Sequence, residues 1–213
     1  MTQSRARPVE PTGAVVPLRR RLAESDEDLL AGLVAKRPAS VADLYDRYAD
    51  LVRGMLARTL NSSSDTDDLA QETFLIVVRK CEKIADPSLL RSFIVSVAMR
   101  VARNELRRRK VRRIVGCLDD VGEPALVVPP HDPALAESVR ELYQALDNLA
   151  ANTRVAFVLR YVEQYTLADT AKACGCSLAT VKRWLGRAER CLGAIANEQP
   201  LLAAILDAGR QSP

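Results

Sequence analysis

The sequence predicts an all-α protein of two small helical domains joined by a flexible linker, the second domain containing a helix-turn-helix. Ala, Leu, Arg, Val and Glu dominate the 213 residues, aromatic residues are only 4% and glycines number nine. That vocabulary suits helices and starves the strands and turns of sandwiches and barrels. Apolar residues recur at helical spacing in two blocks, 25–113 and 134–196. Between them, 114–133 loses that period and gains Gly and Pro, and residues 114 to 137 hold five acids and no Lys or Arg. This is where a domain boundary belongs.

Residues 1–24 mix Pro, Gly and basic residues without period and read as a disordered arm ending near Arg19, Arg20 and Arg21. Order is expected from Ser25, whose hydroxyl and the carboxylate of Asp28 form a capping pair ahead of Leu29, Leu30 and Leu33. A similar signal at Ser40 and Asp43 predicts a second helix start, with Leu44, Tyr48, Leu51, Met55 and Leu56 near one face. Asp65 to Asp68 predicts a third, running to about Ile84 with Leu69, Phe74, Val77 and Cys81 inward. The break Ala85 to Ser88 contains Pro87, which disfavours helix before it and suits the first turn after it. A long helix from about Leu89 to Arg113 should follow, with Phe93, Val97, Val101 and Leu106 inward.

Block two opens near Pro133 with Leu135, Val139, Leu142, Leu146 and Leu149 on one stripe. Thr153 to Glu163 suits a helix or a buried strand by its own pattern, and its helical neighbours decide for helix. The tail 197–213, with an apolar stretch from Leu201 to Leu206, reads either as a small extra helix or as a partner contact.

At 48% hydrophobic and 27% charged, with mean hydropathy −0.07, the chain reads as a soluble globular protein without membrane segments, and as cytoplasmic. The net charge of +4 is uneven, because residues 100 to 113 carry eight Arg or Lys against Glu105 alone. Such a cluster seeks phosphates, although a solvated face has the same composition. Five cysteines are an odd set, and the lone His131 lies far from the close pair Cys174 and Cys176. Neither a disulfide scaffold nor a zinc site is expected. No cofactor is expected either, since no catalytic grouping or Gly-rich phosphate loop emerges.

The most informative stretch is Thr166 to Ile195. Thr166 and Asp169 form a capping box, Gly175 permits a positive φ, and Ser177 caps a second helix. Leu167, Ala171, Val181 and Leu185 are placed to hold the two helices together, leaving Leu178, Ala179, Lys182 and Arg183 outward. A helix entering the major groove needs such an outward set, with basic side chains such as Lys182, Arg183, Arg187 and Arg190 to neutralise phosphates. The lone Trp184 is expected to pack on its own domain.

These segments resemble the two characteristic regions of bacterial sigma factors of the extracytoplasmic-function type, over residues 26 to 113 and 134 to 195. Asp65-Thr-Asp-Asp-Leu-Ala-Gln-Glu-Thr-Phe-Leu75 is similar to that family's polymerase-binding helix. Leu90 to Phe93 and Glu105 to Arg109 resemble its promoter-opening helix, and Leu146 to Leu192 its upstream-element reader.

The resemblance implies RNA polymerase core as a partner through Asp68, Gln71, Glu72, Phe74 and Arg79. It implies promoter DNA as a second partner, opened at the downstream element by Asp86, Ser88, Phe93, Arg100, Arg103, Asn104, Arg107 and Arg108. Ser177, Thr180, Lys182, Arg183 and Arg187 would read the upstream element, and an anti-sigma factor is a further candidate partner. Phe93, Arg100 and Asn104 depart from the residues common in the family, which bears on promoter preference. The family's promoter elements lie about 55 Å apart at 3.4 Å per base pair, and twenty extended residues reach at most about 70 Å. A linker of residues 114–133 therefore spans them.

Two competitors remain. A helix-turn-helix regulator acting without polymerase would bind an operator by itself, and a redox or metal sensor would use Cys174, Cys176 and Cys191.

Overall fold

The computed structural model describes residues 25–62, 65–115, 133–196 and 200–211, and these contain helices and turns but no strand. The linker and the arm 1–24 fall mostly or wholly outside the described residues.

The first domain is a four-helix bundle. Helix α1 (Asp26–Val34) starts where the sequence places it: the Ser25 hydroxyl accepts from the Asp28 amide at 3.1 Å and donates to its carboxylate at 2.8 Å. Helix α2 (Pro38–Leu60) departs from the expected start at Ser40. Pro38 occupies the first turn, where its missing N–H costs nothing, and Ser40 is buried inside the helix. A Cβ at Gly32 would lie 2.0 Å from the Ser40 hydroxyl oxygen, so the glycine lets α1 and α2 meet there. Asn61 ends α2 in the left-handed region at φ 52°, its amide bonded to the Ala57 carbonyl.

Helix α3 (Thr66–Lys80) is shorter than expected, because the chain tightens into a 3₁₀ turn over Cys81–Lys83. A second 3₁₀ turn, Pro87–Leu89, leads into the long helix α4 (Leu90–Val115). Leu44, Met55, Leu56, Val77, Leu90, Ile94, Val97 and Val101 close the core between α2, α3 and α4.

The second domain comprises α5 (Pro133–Asp147), α6 (Ala151–Phe157), α7 (Leu167–Cys174), α8 (Leu178–Ala196) and α9 (Pro200–Gln211). The ambiguous stretch after Thr153 is helical, but its second half, Val158–Val162, widens into a π-turn in which the Glu163 amide reaches the Val158 carbonyl at 2.9 Å. Leu146, Phe157, Leu159, Val181, Ala188 and Leu192 form its core, and Phe157 and Tyr161 stack at 4.7 Å between centroids. The tail is the extra helix: α9 packs on α5, the π-turn and α8, with Leu202 and Leu206 buried.

The two domains are not separate in this structure. Helix α4 lies against α6 and α7, so the long basic helix of the first domain is also the floor of the second.

Candidate polymerase and nucleic-acid interfaces

Three surfaces were expected to carry function, one on α3, one on the turn before α4 with α4 itself, and one on α8. Each is built differently.

On α3, Leu69, Ala70, Phe74 and Val77 turn inward, while Asp68, Gln71, Leu75 and Arg79 lie exposed on an outward stripe. Glu72 is half-buried beside it. Phe74 is 6% exposed and its ring lies 5.2 Å from that of Tyr45. It therefore braces α3 from within and is not a surface contact. Leu75, which the sequence reading passed over, is 55% exposed amid acids and an amide. Its sign in the sequence was a leucine out of phase with the inward stripe. Asp67, beside these, is held by Arg53 at 2.6 Å.

The turn before α4 is organised by Asp86, which accepts from the Ser88 amide at 2.9 Å and so caps the 3₁₀ turn. Hydrogen bonds from the Ser88 hydroxyl and amide hold the Asp86 carboxyl below its ordinary range. Phe93 is half-buried against the core one turn into α4. Asn104 and Arg108 are exposed, and Arg100 is partly covered.

The basic run is less free than its composition implies. Glu105 is buried, and its carboxylate gathers Arg109 at 3.2 Å, Arg112 at 2.7 Å and Arg108 at 3.9 Å. Arg109 also reaches Asp65 at 2.9 Å and the Leu60 carbonyl at 3.2 Å, tying α4 to the α2–α3 turn. Arg103 donates to the Cys174 carbonyl at 3.3 Å, and Arg107 to the Asn152 side-chain oxygen at 3.2 Å. Of the cations expected to meet DNA, Arg103 is thus turned toward the second domain, while Arg107, though bonded to it, stays exposed.

The helix-turn-helix forms as the sequence predicts. The Thr166 hydroxyl accepts from the Asp169 amide at 3.0 Å and donates to its carboxylate at 2.7 Å. Gly175 sits at φ 65°, where a residue with a Cβ is strained. Ser177 accepts from the Thr180 amide at 3.3 Å, and the two hydroxyls bond at 2.9 Å. Ala171, Val181 and Leu185 are buried between the helices, and Leu178, Lys182, Arg183 and Arg187 are exposed on the outer face of α8. Trp184 packs partly buried against its own domain.

Among the described residues no group of His, Cys, Asp and Glu is arranged to hold a metal. Burial pushes the Cys174 thiol up to about 12 and raises Cys176 as well, which disfavours the reactive thiolates of a redox sensor. Cys191 is exposed and Cys81 buried. Iodoacetamide at pH 8 is therefore expected to alkylate Cys191 readily in the native protein and to spare Cys81 and Cys174 until urea is added. Peptide mass mapping reads the order, and fast native labelling of Cys174 would revive the sensor.

Comparison with known proteins finds a match in each of the two domains. Residues 44–112 match the family model described as Sigma-70 region 2, and residues 139–192 match Sigma-70, region 4. The chain is 31% identical over 156 residues to the ferric citrate uptake sigma factor FecI of Escherichia coli K12, covering 70% of this chain and 87% of FecI. It is 30% identical over 145 residues to the ECF RNA polymerase sigma factor SigX of Bacillus subtilis 168, covering 65% of this chain and 74% of SigX.

Two solved structures share the fold. CnrH in complex with the cytosolic domain of CnrY matches with a TM-score of 0.57 at 18% identity, over 81% of this chain and 97% of that one. The sigma factor RpoE of Bartonella quintana, in complex with the anti-sigma factor NepR, matches with a TM-score of 0.52 at 23% identity, over 73% and 97%.

Proposed function

Since the chain belongs to the sigma-70 family of RNA polymerase sigma factors, in its extracytoplasmic-function branch, we propose that the three surfaces divide that family's work between them. The outer face of α3 docks on polymerase core, α8 reads the upstream promoter element, and the turn before α4 with α4 itself grips and opens the downstream element. The protein acts in the cytoplasm as a binding factor and is not an enzyme.

The observation that carries the reading is the outward stripe on α3. Asp68, Gln71, Leu75 and Arg79 follow one another at helical spacing on a face that the domain core does not use. A leucine ringed by polar and charged groups is the anatomy of a protein contact, with an apolar centre and a polar rim. A helix-turn-helix regulator acting by itself has no need of it.

At the upstream element, Ser177 and Thr180 fix the start of α8 through the cap, so their hydroxyls set its pose in the groove while Lys182, Arg183 and Arg187 supply charge. At the downstream element, flipping one base costs a few kcal/mol of lost stacking. The capped turn at Asp86 and Ser88, the half-buried Phe93 and the cations of α4 would offset that cost. Arg100, Arg103, Asn104, Arg107 and Arg108 then hold the strand. A protein antagonist of the kind seated on Bartonella RpoE would act by covering α3 or α8.

The test is reconstitution with purified polymerase core. The full chain is expected to associate with core and to direct transcription from defined start sites. Leu75→Glu with Asp68→Lys should lower core affinity by roughly 100-fold, the loss typical of a hot spot, while far-UV circular dichroism stays unchanged. Binding of the holoenzyme to promoter DNA should weaken with salt, and Arg183→Ala should reduce the log–log slope by about 0.9 if it meets one phosphate. Tight sequence-specific binding by the core-free chain, with no association to core, would favour the regulator instead.

A further inference from the structure

We propose that Cys191 on α8 is a modification site, reversibly thiolated by a low-molecular-weight disulfide rich in carboxylates, and that the adduct loosens the hold of α8 on DNA; the second half rests on the assignment of α8 to the upstream element.

Cys191 stands on the wall of a cleft of about 220 Å³ between the α5–α6 turn and the second half of α8, and it is exposed. Arg187, one turn earlier, and Arg190, the residue before, share that wall and are exposed too. Neither guanidinium has an ion-pair partner among the described residues. The acids that adjoin the lining residues in the chain are already engaged, Asp147 by Arg154 and Glu189 by the Tyr161 hydroxyl. The cleft is therefore cationic and not neutralised from within.

A second observation points into the same space. Thr153 lines the cleft although only 5% exposed, and its hydroxyl meets no hydrogen-bond partner among the described residues. Buried hydroxyls are normally bonded, so this one is left for a guest. The cleft is smaller than the roughly 300 Å³ that encloses a drug-sized molecule, so it holds only an arm of one. A guest tethered at Cys191 needs no more. Carboxylates on that guest suit the two guanidinia, which take such groups in charge-assisted pairs.

The exchange balances without any further reactant. Cys191 gives its proton to solvent and attacks one sulfur of the disulfide; a new S–S bond forms at Cys191, the old one breaks, and the departing thiolate takes up a proton. Cys191 is oxidised and the departing half is reduced. A free thiol reverses the step by the same route. Cys174 and Cys176 take no part, because burial raises both thiols. The adduct then places negative charge beside Arg187, one of the cations proposed to meet the upstream duplex.

The full-length protein, equilibrated with glutathione and its disulfide, quenched with acid and mapped by peptide mass, is expected to carry one glutathionyl group on Cys191. Arg190→Ala should lower the equilibrium constant for that adduct roughly 10-fold by removing a charge-assisted pair, and Thr153→Val roughly 5-fold by removing one hydrogen bond. The adduct of cysteamine, which bears an ammonium and no carboxylate, should be weakened by neither. The modified chain, assembled with untreated core, should bind promoter DNA roughly 5-fold more weakly at 0.15 M salt, the share of one phosphate contact, and dithiothreitol should restore it. Cys191→Ser should bind as the unmodified wild type does and ignore the disulfide.

Circular dichroism separates a lost contact from unfolding in each variant. Glutathione on Cys117 or another thiol with Cys191 spared, or a cysteamine adduct that Arg190→Ala weakens as much, would overturn the site. Undiminished DNA binding by the modified holoenzyme would overturn its regulatory use. A chain modified as expected that never binds core would refute the sigma-factor assignment and leave the adduct standing.

Discussion

Replacing Glu105 by alanine is expected to destabilise the first domain by about 3 kcal/mol, because it removes a buried carboxylate and leaves the shielded Arg109 without its counterion. The carboxylate is 7% exposed and serves three arginines on its own helix. Arg108 and Arg112 are 62% and 47% exposed, so water screens much of their share. Arg109, at 18%, is not so relieved, and it carries the tie from α4 to Asp65 and the Leu60 carbonyl. The melting temperature should fall by roughly 10 °C at 2–4 °C per kcal/mol. Glu105→Leu combined with Arg109→Leu should recover part of the loss, because apolar pairs replace buried ion pairs at little net cost. A Glu105→Ala protein that melts with the wild type would show that the cluster contributes charge and no stability.

Phe157→Ala should cost the second domain about 3–5 kcal/mol, the range for emptying a buried aromatic site. Phe157 is fully buried, stacks on Tyr161 and ends α6 just where the chain widens into the π-turn. The cavity would open beneath α8, whose outer face carries the proposed upstream contacts. The chain contains one tryptophan, Trp184, and it lies in this domain. Urea unfolding followed by its fluorescence should therefore shift to lower denaturant, while circular dichroism, which sees both domains, should split into two steps. Coincident curves would mean that the two domains unfold as one unit.

The helical class, the two blocks and the helix-turn-helix were legible because each rests on local chemistry. Ser25, Thr166, Gly175 and Ser177 act on neighbours within a turn of chain, and the structure uses them as caps. The start of α2 was misread because Ser40 suits a cap by type, whereas Pro38 and the close approach to Gly32 draw it into the helix.

The site was legible in outline only. Periodicity placed α3 and α8 and put Phe74 inward, as the structure does, which leaves it no part as a polymerase contact, while Leu75, given no role, stands exposed. Least legible was Arg154, an arginine inside the apolar run of α6. Its partner is a backbone carbonyl 95 residues away, and a carbonyl leaves no signature in a sequence. The same limit hid the engagement of Arg103 and Arg107, whose composition speaks of phosphates and whose geometry speaks of the neighbouring domain.

Helix α9 has a practical consequence for anyone wishing to isolate the DNA-reading half of the molecule. Leu202 and Leu206 fill seats on α5, α8 and the π-turn, so a fragment cut at the edge of the region 4 match, residue 192, would leave those seats bare and greasy. A piece that keeps those seats filled continues through Gln211, and one that also keeps α6 and α7 covered retains α4.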